Sequence, residues 1–256
     1  MIRIGNINNL SARPFSLCAP RSFAEAIELT PAALGRRVLD GSLDVALVPT
    51  ALLPSVEPFM EPAGPYGIAC TGRVGSVSIL SRMSVEDLLR RNGALYITPE
   101  SRTSHLLFQV LCEGAHGQLP RMTDHAGEAE AWLYIGDEAV RQARMVTRET
   151  CITDLGEWWY ARTSRPFVFA RWMVRRSLDH ASRELIQAWL EQNARMAEAP
   201  GGHHALACEA APLFGDHTAA AAYYQHLRQR LTPADDAGQA LFLQHITEYR
   251  LWSRSA

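Results

Sequence analysis

The segment "PESRTSHLLFQVLC", Pro99 to Cys112, crowds three hydroxyls and a guanidinium into four consecutive positions, Ser101, Arg102, Thr103 and Ser104. An apolar series follows at once: Leu106, Leu107, Val110 and Leu111 recur at helical spacing, which predicts a helix capped by one of the hydroxyls. The first N–H groups of a helix have no partner inside it and carry the positive end of its dipole, so such a start suits a carboxylate. Capping needs one hydroxyl; three of them beside Arg102 point to an anion site. A second pattern, "YIGDEAV", places Gly136 and Asp137 at the end of an apolar strand. A residue without a side chain lets a ligand approach closely there, while Asp137 also suits a helix cap in an ordinary strand-to-helix turn. In a third, "IGNINNLSARPF", a strand runs into Asn8, Asn9, Ser11 and Arg13 and stops at Pro14.

Other residues offer less. His105 fits the surface of the predicted helix, and of the neighbours Trp158 and Trp159 at least one belongs in a core. His203 and His204, in "PGGHHA", fall in a predicted loop with no further ligand at metal spacing, so no metal site is expected. No G-x-S-x-G, P-loop or dinucleotide fingerprint occurs. All 25 residues of the Lys+Arg count are Arg, which excludes Schiff-base chemistry and a lysine-anchored pyridoxal; no cofactor is expected. With a net charge of -2 and mixed signs along the chain, nucleic acid is not an expected partner. The five cysteines are scattered and never form a C-x-x-C pair, as in a protein of reduced thiols. No apolar run approaches a membrane span and no leader-like start is present, so a soluble, cytoplasmic protein without a membrane partner is expected.

These groups are positioned by strands at residues 2–7 and 43–48, and "PAALGRRVLDGSLD" from Pro31 supplies a helix between them. A right-handed crossover of this kind brings the loops after both strands, Asn8 to Arg13 and Pro49 to Thr50, to one sheet edge. Glu57 to Gly67 is a Gly- and Pro-rich spacer ahead of "GIACTGRVGSVSILS", one long or two short strands. "SVEDLLRRN" (helix), "GALYIT" (strand), the helix after "PESRTS", the strand of "EAWLYIGDEAV" and the strand "RPFVFARWMV" follow; from Asp179 onward the pattern is mainly helical. The strands near 74–81 and 166–174 bracket a middle segment with its own alternation. The expected fold is therefore α/β with two lobes, 1–80 with 168–256 and 81–167, and a ligand cleft between them. Hinges are expected near Ser78 to Ser81 and Arg165 to Phe167. The length of 256 residues allows this, and oligomeric state is left open.

Taken in order, "IGNINNLSARPF", "LDGSLDVALVPT", "GRVGSVSILS", "SRTSHLLFQVL", "YIGDEAV" and "DLGEWWYARTSRPFVFARW" cover most of the chain, and together they resemble the chorismate dehydratase family of menaquinone (futalosine-pathway) biosynthesis. The resemblance implies a fold like the type II periplasmic binding proteins, used in the cytoplasm. It also implies a cofactor-free lyase: water leaves chorismate, a small dicarboxylate, with the hydroxyl from C4 and the hydrogen from C3, giving 3-[(1-carboxyvinyl)oxy]benzoate. The carboxylates would be met by Ser101 to Ser104 and by hydroxyl or N–H groups around Thr50 and Ser76. At the first strand the family pattern reads roughly Tyr-Leu-Asn with the Asn facing the substrate, whereas this chain has Asn9, Leu10 and Ser11. Strand alternation would point Asn9 and Ser11 the same way, and these two inherit the expected catalytic role. Leu52 stands where the family often has an acidic residue. The alternative is a cytoplasmic binding or sensing protein for a small carboxylate that has lost the lyase chemistry.

Overall fold

The computed structural model describes residues 1–20, 22–100 and 102–251. Strand β1 (Ile2–Ile7) ends where Asn8 and Asn9 remove the apolar side chains, and a short 3₁₀ helix, Leu10–Phe15, follows. Strand β2 (Ala24–Leu29) then pairs parallel to β1, Ile4 lying opposite Ala26. Helix α1 (Pro31–Leu39) is capped by Thr30, whose hydroxyl accepts from Ala33 N, and it buries Leu34 and Val38. Strand β3 (Val45–Pro49) flanks β1 on its other side, also parallel, with Ile4 opposite Val45. The ends of β1 and β3 consequently open on the same edge, as the crossover argument requires. Helix α2 (Leu53–Val56) and strand β4 (Met60–Cys70) complete this stretch.

The chain now crosses to a second sheet. Strand β5 (Val77–Ser81) is followed by α3 (Val85–Arg90), β6 (Ala94–Ile97), α4 (Arg102–His116), β7 (Arg121–Thr123), β8 (Ala131–Ile135), α5 (Gly136–Met145), β9 (Cys151–Asp154) and α6 (Leu155–Thr163). The sheet order is β7-β6-β8-β5-β9, with β6 parallel to β7 and β8 and with β5 antiparallel to β8 and β9. Strand β10 (Phe167–Arg175) returns to the first sheet, where α7 (His180–Glu198), α8 (Pro200–Phe214), α9 (His217–His226), β11 (Leu227–Arg230) and α10 (Pro233–Glu248) end the series. The first sheet runs β11-β4-β10-β3-β1-β2. The fold is thus α/β with two lobes, each built on its own sheet.

Four expectations shift. The spacer at Glu57 to Gly67 belongs largely to β4: its pairing with β10 jumps from Gly67 opposite Arg171 to Pro62 opposite Met173, and the extra residues bulge out with Gly64 at φ 109°. Val77–Ser81 lies wholly in the second sheet, paired on both sides, so the first crossing precedes residue 77. That crossing is a turn with Gly72 and Gly75 at φ 79° and 77°, values open to glycine at little cost. "PGGHHA" opens α8 and is no loop; only glycine fits at position 202, because a Cβ would fall 1.8 Å from the Met196 carbonyl oxygen. Lastly, the mainly helical pattern expected from Asp179 onward is interrupted: α9 stops at His226, and Leu227–Arg230 forms the edge strand β11.

Candidate active site

A cavity of about 290 Å³ lies between the lobes, near the lower end of the roughly 300–1,000 Å³ common for small-molecule sites. Its walls come from the turn after β1, α1, the end of β3, β4, β10, the crossing before β5, and the starts of α4 and α5. Several of these are strand ends, helix starts or turns, where backbone polar groups lack a partner in the regular ladders.

Asn9 is extended (φ -129°, ψ 167°) and the chain coils immediately after it, so Ser11 does not continue the strand. The tight turn nevertheless brings the two together: Ser11 Oγ donates to Asn9 Oδ1 at 2.6 Å, and both border the cavity. Gly136, in the left-handed conformation at φ 57°, faces them from α5; a Cβ there would lie 3.2 Å from Asn9 Nδ2. Ser76 closes the same corner. Its carbonyl accepts from Gly136 N at 2.7 Å and its hydroxyl accepts from Tyr223 at 3.1 Å. Tyr224, the next residue of α9, donates to the Leu10 carbonyl at 3.1 Å. Burial raises the pKa of both phenols well above the ordinary value and keeps them neutral donors.

Across the cavity, Arg102, Thr103 and Ser104 border it at the start of α4. Thr103 Oγ1 accepts from Ala51 N at 3.1 Å, tying α4 to the turn after β3, and its own O–H remains a donor. Arg36 of α1 adds a second guanidinium. Glu100 brings a carboxylate, one oxygen of which is buried with no hydrogen-bond partner among the described residues.

Two nominated residues serve elsewhere. Thr50 is fully buried, donates to the Val168 carbonyl at 2.6 Å and does not border the cavity, because the turn after β3 folds its side chain toward β10. Asp137 also stays off the cavity wall: its carboxylate accepts from Leu10 N at 2.9 Å, a bond that joins the second lobe to the first. Ser101 lies outside the described residues. Leu52 borders the cavity as an apolar side chain. His105 is half-buried and borders a separate hollow; burial, with Arg102 adding to it, lowers its pKa so that the ring is held neutral. Trp159 is a core residue, with its ring N–H donating to the Pro166 carbonyl, and Asp154 holds four N–H groups, of Val74, Gly75, Gly156 and Glu157.

Sequence reasoning missed Arg36, Glu100, Tyr223 and Tyr224. The adjacent tyrosines after a run of alanines were a visible signal of close packing; nothing local marked Arg36 or Glu100.

The family model described as menaquinone biosynthesis matches residues 2–248. The chain belongs to the menaquinone biosynthesis family. A relative named chorismate dehydratase, from Thermus thermophilus, is 29% identical over 185 residues, which span 64% of this chain and 66% of that protein, just under two thirds of its length. Among solved structures, a protein of Archaeoglobus fulgidus superposes with a TM-score of 0.74 at 14% identity, covering 98% of each chain. The alkanesulfonate-binding protein SsuA of Xanthomonas axonopodis pv. citri, bound to MOPS, gives 0.67 at 13% identity over 98% of this chain and 93% of its own. Escherichia coli SsuA, a periplasmic aliphatic sulphonate-binding protein, gives 0.65 at 15% over 98% and 92%. At such identities these likenesses carry the fold alone, a periplasmic-binding-protein-like one with two lobes. This member of the menaquinone biosynthesis family has no helix, among its described residues, long and apolar enough to cross a membrane.

Proposed function

We propose that the chain is a lyase that dehydrates chorismate, or a close enolpyruvyl cyclohexadiene carboxylate, in the inter-lobe cavity. The observation that carries this reading is the cavity itself, in a chain of the menaquinone biosynthesis family. It is small, and amide, hydroxyl, guanidinium and carboxylate groups border it together. The similarity to a chorismate dehydratase supports the choice of substrate.

In this mechanism Arg102, Thr103, Ser104 and the α4 start hold one carboxylate, and Arg36 offsets the charge of the other. Asn9, oriented by Ser11, and Ser76, oriented by Tyr223, contact the ring substituents. The C3–H bond breaks and its electron pair moves into the ring. The C4–O bond breaks as the hydroxyl leaves, and the two fragments make up one water. Aromatisation supplies the driving force, so the protein must mainly position the dianion and exclude bulk water. Glu100, whose carboxylate borders the cavity, is the proton acceptor in this scheme.

Incubation with chorismate tests the reading. Loss of the diene absorbance, with appearance of an aromatic product lighter by one water, is the expected result. Saturable binding of chorismate with no product over hours would overturn the lyase and leave the binding-protein alternative.

A further inference from the structure

Away from the cavity, three side chains with metal-ligating atoms meet at the junction of α8 and α9. His204 and Cys208 are four residues apart on α8 and so share a face. Gly215, left-handed at φ 91°, ends α8 and reverses the chain. Asp216 caps α9 by accepting from Ala219 N at 2.8 Å, and His217, the first residue of α9, is thereby returned to the face that carries His204 and Cys208. His204 Nε2 lies 3.5 Å from Cys208 Sγ, and His204 Nδ1 lies 3.1 Å from His217 Nε2. One ligand atom from each residue falls within 4.8 Å of the other two, and all three residues are exposed. With Zn–N near 2.0 Å and Zn–S near 2.3 Å, tetrahedral ligand atoms stand about 3.3–3.6 Å apart. Rotation of exposed side chains is enough to close the triangle on one ion.

We propose that His204, Cys208 and His217 bind a divalent ion of the zinc class, with water in the fourth position. One thiolate and two imidazoles favour that class over magnesium or calcium, which take oxygen ligands. None of the three residues borders the cavity, so the ion is a clip between helices and takes no part in turnover there. Its leverage comes from α9, whose Tyr223 and Tyr224 donate to Ser76 and to the Leu10 carbonyl. Fastening α9 to α8 holds the back of the site in place. The prediction of isolated histidines in a loop fails here because the third ligand, His217, is brought in by the turn at Gly215 and is not encoded in local spacing.

The test is a titration of the full chain, reduced and stripped with a chelator, using Co²⁺ as the probe. One equivalent should produce visible bands of tetrahedral intensity and a near-ultraviolet thiolate charge-transfer band, both erased by Zn²⁺. Loss of an outer-shell partner alone costs metal sites about 10–100-fold in affinity, so Cys208→Ser and His217→Ala should each lower it at least that much. Zn²⁺ should raise the melting temperature of the native chain and leave that of His217→Ala unchanged, with circular dichroism checking that both variants are folded. Cys151→Ser, which removes the other exposed thiol, should bind as the native protein does. No binding at micromolar metal, binding undiminished by His217→Ala, or a charge-transfer band lost with Cys151→Ser would each overturn the site.

Discussion

The hydrogen bond from Ser11 Oγ to Asn9 Oδ1 occupies the amide's acceptor and leaves its NH₂ as the group to meet a ligand. On the lyase reading Asn9→Ala therefore removes a donor from the reacting region, and kcat for chorismate should fall about 10²–10³-fold with KM little changed. Ser11→Ala removes the bond that orients the amide. A neutral hydrogen bond contributes about 1 kcal/mol, so a fall of about fivefold is expected. Glu100→Gln keeps size and polarity but cannot take up a proton, and kcat should drop about 10²–10⁴-fold. Steady-state kinetics of the three variants separates these roles. A raised KM with kcat unchanged for Asn9→Ala would make it a binding group, and full activity in Glu100→Gln would remove the base.

Among the elements, the start of α4 does two jobs at one residue. Thr103 borders the cavity and also accepts the Ala51 N–H, joining the second lobe to the turn after β3. A buried N–H left without an acceptor costs about 1–3 kcal/mol, so Thr103→Val should lower stability by that amount as well as weaken substrate binding. Thr103→Ser keeps the oxygen and should retain both. Denaturant melts and a chorismate titration of the two variants check this; a stable Thr103→Val with native affinity would make the hydroxyl a bystander. The Leu10 to Asp137 bond and the Ala51 to Thr103 bond lie on either side of the cavity and close it, whereas the crossing before β5 is pinned by Asp154. The lobes are thus joined at the cavity by polar links. The glycines of that crossing with positive φ, Gly72 and Gly75, lie outside the strands where hinges were expected.

At the scale of the molecule, Glu191 of α7 ties that helix to two strands of the first sheet. Glu191 accepts from Tyr66 of β4 at 2.7 Å and pairs with Arg230 of β11. Hydrogen bonding from Arg230, with Tyr66 next, holds the Glu191 carboxyl down at about 2, against an ordinary 4.5. A pKa lowered in the folded state stabilises above the unfolded value, and the contribution is lost as pH falls from about 4.5 toward about 2. Melting temperatures of the native chain and Glu191→Gln, measured across that window, should converge as the pH drops. Curves that stay parallel would show that the pair contributes nothing. The phenol gives the opposite limb. Burial first, and Glu191 second, push Tyr66 up to about 12, so its share of stability is present below pH 10 and lost as pH rises toward 12.

Apolar periodicity over ten to fifteen residues carries local structure, and it was enough to place β1, β3, α1, α4, β8 and β10 and to order them as two α/β lobes. The same windows mark the hydroxyls of the first turn of α4 and the glycine that opens α5, because a helix start leaves its signature in adjacent residues. Strands β2 and β11 were not legible: each is a short sheet edge whose identity depends on the partner beside it. Nor could spacing show that Thr50 turns to the Val168 carbonyl or that Asp137 reaches across to Leu10. Tyr223 and Ser76 are 147 residues apart, and so their hydrogen bond, like the meeting of His204 with His217 around Gly215, exists only once helices pack. Which polar groups line the cavity and which are used up as ties between lobes is a question of who satisfies whom in the folded interior, and the tertiary structure alone decides it.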